Sequence, residues 1–260
     1  TNVYREYHRT FVNGKRAIMT GTSKDYVNWT KPVLLKYPGA PAEHLYTNAV
    51  RPYERAPHIL IGFPTRYLPE QGQRVEPTFM ASRDGVTFKR WLEPVIPESA
   101  PKERGGNRSN SMACGLVDLP GRPNHYSVYA TEAYYTGPDS RLRRFEYRKD
   151  GFASVRGGAE GGQLTTKPIR IGKTITRLVV NYQTREQGSL RVAIEKPDGD
   201  AITMFTLKDC RVLQGDDLAA TVAWKKGADL SALRGQVVRL RFELRGADLY
   251  AVRLQEKSPD

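Results

Sequence analysis

The chain has 260 residues, 39% hydrophobic and 27% charged, ordinary for a globular protein and enough for one large all-β domain or two smaller ones. It contains no run of about 20 apolar residues, which excludes a membrane-spanning helix. The formal charge of +13, with a pI near 9.8, admits a polyanionic partner. Many arginines, however, alternate with apolar residues, as in Val238-Arg-Leu-Arg-Phe-Glu-Leu-Arg245, the pattern of a solvated sheet face. Nucleic acid and membrane are therefore not expected as partners. An acidic polysaccharide would use the same positive field. Cys114 and Cys210 read as buried free thiols, with one disulfide as the alternative. There is no initiator Met and no signal-peptide pattern, so Thr1 reads as a processed, trimmed or internal start.

Helical periodicity is nearly absent, and short strands between Gly, Pro, Asn and Asp dominate. The first unit reads as strands over 3–9 and 16–22 about an Asn13-Gly14 hairpin turn, then a strand over 29–35. The second reads as four strands, over 46–53, 59–63, 78–82 and 87–91. A polar, basic loop spans 97–110. The third unit reads as strands over 112–119, 125–135, 142–148 and 152–156. The glycine-rich stretch 157–162 marks a junction. Beyond it, period-two alternation predicts strands over 177–182, 189–195, 221–224, 236–244 and 250–254. One short helix is expected over 229–234, with Gly235 as its left-handed cap.

Two segments are versions of one cassette, Thr22-Ser-Lys-Asp-Tyr-Val-Asn-Trp29 and Ala81-Ser-Arg-Asp-Gly-Val-Thr-Phe88, and Tyr147-Arg-Lys-Asp-Gly-Phe152 is a weaker third. Asp25 and Asp84 lie 59 positions apart, and Asp84 and Asp150 lie 66 apart. A β unit recurring at such a period marks a repeat architecture, with a β-propeller as first candidate. The expected fold is all-β: a partial propeller of about two and a half blades over 1–157, then a β-sandwich over 163–256. Each cassette Asp is expected to build its turn by accepting backbone N–H bonds, and each cassette aromatic to pack between blades.

Asp-turn blades followed by a β-sandwich resemble glycoside hydrolase family 32, of the invertase and levanase type, with its five-bladed propeller. A closer similarity is to large bacterial proteins classed as family-32-like. It is carried by Glu43-His-Leu-Tyr-Thr-Asn48, Arg55-Ala-Pro-His-Ile59, Gly62-Phe-Pro-Thr-Arg66-Tyr67, Tyr129-Ala-Thr-Glu-Ala133 and Ala247-Asp-Leu-Tyr250. The cassette is also similar to the sialidase Asp-box, with Phe88 where that motif has Trp. The resemblance implies a secreted or periplasmic protein acting on or binding a poly- or oligosaccharide. With about two and a half blades here, too few to close a propeller, it also implies that the earlier blades lie upstream of Thr1, belong to another chain or were lost, together with the family's Trp-x-Asn-Asp-Pro, Arg-Asp-Pro and Glu-Cys motifs, which are missing here.

Glycoside hydrolysis needs two carboxylates across one bond. Of Glu43, Glu54, Glu76 and Glu132, the last is the best catalytic candidate, since Tyr134 and its tyrosine neighbours can stack on sugar faces. The competing assignment pairs Glu132 with Arg141, Arg143 or Arg144. Glu43, His44, Asn48 and Arg51 either line a substrate pocket or form a satisfied junction. Arg66 with Tyr67 either clamps an anionic group or is an ordinary surface pair. His8, His58 and His125 lack metal-ligand spacing, so no metal or other cofactor is expected. The alternative to a hydrolase-like function is a non-catalytic carbohydrate-binding module, including one for an anionic polysaccharide.

Overall fold

The computed structural model describes residues 3–100, 109–134 and 140–256 and is all-β. It divides into two compact units, Thr1–Tyr147 and Arg148–Asp260. Among the described residues, no helix is long and apolar enough to cross a membrane. Part of the 97–110 loop and the end of the 125–135 strand lie outside the described residues.

In the first unit, β1 (Tyr4–Val12) and β2 (Lys15–Ser23) form an antiparallel hairpin about Asn13 and Gly14. These residues have φ of 49° and 75°, the two left-handed positions a type I′ turn requires. β3 (Val33–Leu34) joins the other edge of β2. Next come β4 (His44–Leu45), β5 (Arg51–Tyr53), β6 (Ala56–Gly62), β7 (Thr65–Leu68), β8 (Arg74–Pro77), β9 (Met80–Ser82) and β10 (Lys89–Arg90). The order β10-β9-β6-β5 is the four-stranded blade that the sequence predicts.

The stretch between β6 and β9, read from sequence as a connection, forms a hairpin of its own. β7 and β8 join β4 in a separate sheet, order β4-β7-β8. The break falls at Pro64, which has no N–H to give a ladder. Single bonds bridge it: Phe63 N donates to Asn48 O at 3.0 Å, and Thr78 N to Pro64 O at 2.9 Å. β11 (Asn110–Met112), β12 (His125–Glu132) and β13 (Arg141–Arg148) make the third blade-like sheet, with β13 at its edge. Ile18, Leu35, Leu45, Met80 and Phe88 form a core beneath the first two.

The second unit contains β14 (Val155–Gly157), β15 (Gly162–Thr165), β16 (Ile169–Arg170), β17 (Ile175–Glu195), β18 (Asp216–Thr221) and β19 (Val237–Glu256). β14, expected to close the third blade, pairs instead with β19. Four strands expected from alternation are really two. β17 and β19 pair antiparallel along nearly their whole length, with a register shift between Thr184 and Ser189. A Cβ on Gly188 would lie 2.4 Å from the Gly246 carbonyl oxygen, and Gly246 itself has φ 49°. The glycine pair lets both strands bend together without losing each other. Leu178, Val180 and Tyr182 before the bend and Leu190, Val192 and Ile194 after it line one core with Trp224 and Phe242. The bent sheet thus closes on itself as a sandwich. On β19, Val238, Leu240, Phe242 and Leu244 face in while Arg239 and Arg241 alternate outward. Burying each such apolar side chain contributes about 1.5–3 kcal/mol.

The helix expected over 229–234 is only a 3-10 turn, Ser231–Leu233. Asp229 Oδ1 accepts Ser231 N at 2.9 Å and Ser231 Oγ at 2.6 Å, a local bond that competes with helix continuation. Gly235 takes the anticipated left-handed φ, 77°. Both thiols are free, but only Cys210 is buried; Cys114 is exposed.

Candidate functional site

The pairing of β4 with β7 sets His44 opposite Tyr67 and Leu45 opposite Arg66. It thereby gathers three of the residues singled out from sequence. Arg66 donates from Nη1 to Glu43 Oε1 at 3.2 Å and from Nη2 to Glu76 Oε2 at 2.6 Å. Arg90, almost wholly buried, donates to Glu43 Oε2 at 2.7 Å, and Arg74 reaches Glu76 Oε1 at 3.0 Å. Burial opposes the Arg66 charge, but the bonds from Glu76 and Glu43 outweigh it and raise its pKa. Glu43 and Glu76 are therefore carboxylates matched by arginines, the arrangement of a structural ion network.

His44 Nδ1 lies 3.2 Å from Arg16 N, and its ring stands edge-on to Tyr67 at 5.7 Å. The Arg16 guanidinium sits over Tyr67 at 4.8 Å and Tyr46 at 5.4 Å. Asn48 is spent on the backbone: Nδ2 donates to Tyr7 O at 3.2 Å and Oδ1 accepts Val50 N at 3.2 Å. Arg51, on β5, runs its Nη1 to 3.9 Å from where a Gly115 Cβ would stand.

Glu132 is at the end of β12 and fully buried. It accepts Ser99 Oγ at 2.6 Å, Arg143 Nη1 at 2.7 Å and Arg141 Nε at 2.5 Å. Arg144 turns elsewhere, to Ser127 Oγ at 3.1 Å and Glu146 at 3.0 Å. Burial disfavours the Glu132 charge, but the bonds from Ser99, Arg143 and Arg141 outweigh it and hold the carboxyl below its usual value. A group so held is ionised at neutral pH, whereas a general acid needs the opposite shift. Tyr134 follows two residues on, half-buried, its N–H donating to Ser109 O at 3.3 Å.

The first two cassettes build the same turn. Asp25 Oδ1 accepts Val27 N at 2.9 Å and Asn28 N at 2.7 Å; Asp84 Oδ1 accepts Val86 N at 2.8 Å and Thr87 N at 2.7 Å. Those backbone bonds depress both carboxyls, Asp84 to about 2. Asp150 also sits in a turn, but of another kind: its own φ is 56°, whereas in the other two the next residue is left-handed.

The cassette aromatics diverge. Phe88 is buried as expected, edge-on to Tyr7 at 6.1 Å. Trp29 is not: it is 37% exposed, beside Tyr26 at 67% and Tyr4 at 53%. Tyr26 stands edge-on to Tyr4 at 5.2 Å and to Trp29 at 5.6 Å. Trp29 Nε1 donates to Tyr26 O at 3.2 Å, which fixes the indole. With Arg5 and Glu6 the three rings line an open concavity of about 640 Å³, within the range of small-ligand sites. Sequence reading missed this shelf. The available signal was Tyr26 in the turn position that Gly85 fills in the second cassette.

No protein-family model and no curated protein matches the chain. Solved structures similar to it include glycoside hydrolases. A fructofuranosidase variant from Schwanniomyces occidentalis complexed with fructosylnystose is 8% identical, over 96% of this chain and 91% of the other, at a TM-score of 0.32. The family 43 arabinoxylan arabinofuranohydrolase from Bacillus subtilis, in complex with cellotetraose, is 10% identical over 97% and 79%, at 0.25. Likeness at that level defines no activity.

Proposed function

We propose that this chain is a carbohydrate-binding protein, glycoside hydrolase-like and of the family-32 kind. It holds a poly- or oligosaccharide and does not itself cleave it. The observation that carries this reading is the exposed shelf of Tyr4, Tyr26 and Trp29. A pyranose or furanose ring presents a C–H face and a rim of hydroxyls. Aromatic faces take the former, and Glu6 at the same concavity, whose Oε2 also holds His8, meets the latter; the Arg5 guanidinium is turned to Thr20 Oγ1 and Gly85 O. Binding is favoured over hydrolysis because the carboxylates Glu43, Glu76 and Glu132 are each engaged by two arginines. None is set up to donate a proton across a glycosidic bond.

The test is fluorescence titration with neutral oligosaccharides of fructose, arabinoxylan and cellulose type. Trp29→Ala is expected to weaken binding at least tenfold, as truncation of an aromatic hot spot costs ~2 kcal/mol or more. Unchanged affinity would remove the shelf from the account. Reducing-end release that Glu132→Gln abolishes in a folded protein would replace binding with hydrolysis.

A further inference from the structure

We propose that Arg141 and Arg143 form an oxyanion-binding site that takes the carboxylate or sulfate groups of an acidic polysaccharide. This deepens the carbohydrate reading and rests on it.

Three observations carry it. First, one fully buried carboxylate holds both arginines: Glu132 Oε2 takes Arg141 Nε and Oε1 takes Arg143 Nη1. The two guanidiniums are thereby fixed side by side before any ligand arrives. Second, their outer parts are open, the side chains being 48% and 45% exposed. Each spends one nitrogen on Glu132. Arg141 keeps both Nη groups and Arg143 keeps Nε and Nη2, and no other described residue takes them. Planar forks of this kind match an oxyanion with two parallel N–H bonds. Third, charge stays in excess. Two arginines face one glutamate here, and the same ratio recurs on the opposite face of the strand, where Arg122 and Arg144 share Glu146 at 3.4 and 3.0 Å. The Phe145 ring backs Arg143 at 5.5 Å.

A purely structural ion pair would not need its arginines at the surface. Burying the anion and exposing both cations turns a stabilising contact into a pre-organised receptor, since the cost of ordering two flexible side chains is met during folding. Among the described residues, β13 is the edge strand of its sheet, the side from which an extended ligand would approach.

The experiment compares polygalacturonate, heparin, a neutral oligosaccharide and a single-stranded DNA oligonucleotide on wild type and on Arg141→Lys/Arg143→Lys. The lysines keep charge against Glu132 but lose the forks. Polygalacturonate or heparin affinity is expected to fall at least tenfold, whichever binds tighter naming the group, while neutral-sugar binding and the thermal midpoint hold. Wild-type affinity for the acidic glycan should also fall with added salt. Should the double variant unfold, Arg141→Gln leaves Arg143 on Glu132 and is expected to lose about fivefold. Unchanged acidic-glycan affinity in either folded variant overturns the proposal. So does DNA binding as tight as the glycan's, which would mean undirected attraction to the net charge. A protein that binds acidic glycans through these arginines but no neutral sugar would instead retire the aromatic shelf and leave this site standing.

Discussion

Tyr26 has φ 67°, a left-handed conformation that the second cassette gives to a glycine, Gly85 at 78°. For an L-residue with a bulky side chain this costs ~1–2 kcal/mol. The strain is retained together with an exposed ring, so the ring is where its use is to be sought. Tyr26→Gly separates the two effects. The variant is expected to be as stable as wild type or up to ~1 kcal/mol more stable in thermal unfolding, yet weaker towards sugar. A loss of stability would mean that the ring props the turn. Asp84 gives a pH prediction. Its folded pKa of about 2 lies below the ordinary 3.8, so its stabilising effect is present above about 3.8 and is lost as pH falls towards 2. Asp84→Ala should flatten that part of the acid-unfolding curve and leave neutral-pH cooperativity intact. Glu132 acts in the same direction, and Glu132→Gln should cost ~2–4 kcal/mol in denaturant unfolding, since it leaves two arginines without their anion.

At the level of elements, the long hairpin of β17 and β19 depends on its bend. Gly188→Ala would put a Cβ 2.4 Å from a backbone oxygen, which no rotamer relieves. We expect a loss of ~3 kcal/mol or more in urea unfolding; a change under about 1 kcal/mol would show that the strands can separate there. This bend also marks the limit of what the sequence discloses. Alternation correctly located 189–195 and 236–244, because their large apolar residues, Leu190, Val192 and Ile194 and then Val238, Leu240, Phe242 and Leu244, recur at every second position and are buried. The polar Arg185-Glu-Gln-Gly188 between two such runs has the composition of a turn. Only its partner on β19, some sixty positions away in the chain, makes it a bulge. The β7–β8 hairpin escaped notice for a different reason: each strand has four residues, too few to show a period. That hairpin positions Arg66 against Glu76, so this contact was legible as residue types but not as geometry. Trp29 was legible as a cassette aromatic. Its exposure followed from the neighbouring Tyr26, which a pattern built on the glycine version does not weigh.

Across the molecule, a formal charge of +13 coexists with extensive pairing of the acidic groups. Glu43, Glu76, Glu132, Glu146, Asp216 and Asp248 all hold arginines. Arginine is densest on the edge strand β13, which carries Arg141, Arg143, Arg144 and Arg148. Such a distribution draws anionic ligands at a rate that depends on ionic strength, while a neutral sugar on the aromatic shelf of the first sheet carries no charge for salt to screen. The two surfaces make different demands on one ligand, and the neutral one carries the central claim. Calorimetric titration of a neutral oligosaccharide into wild-type and Trp29→Ala protein, at low and at high salt, tests it most directly. The account predicts salt-independent binding to wild type and a loss of at least tenfold in the variant. Equal affinity in the two proteins, or no binding to wild type, would contradict it.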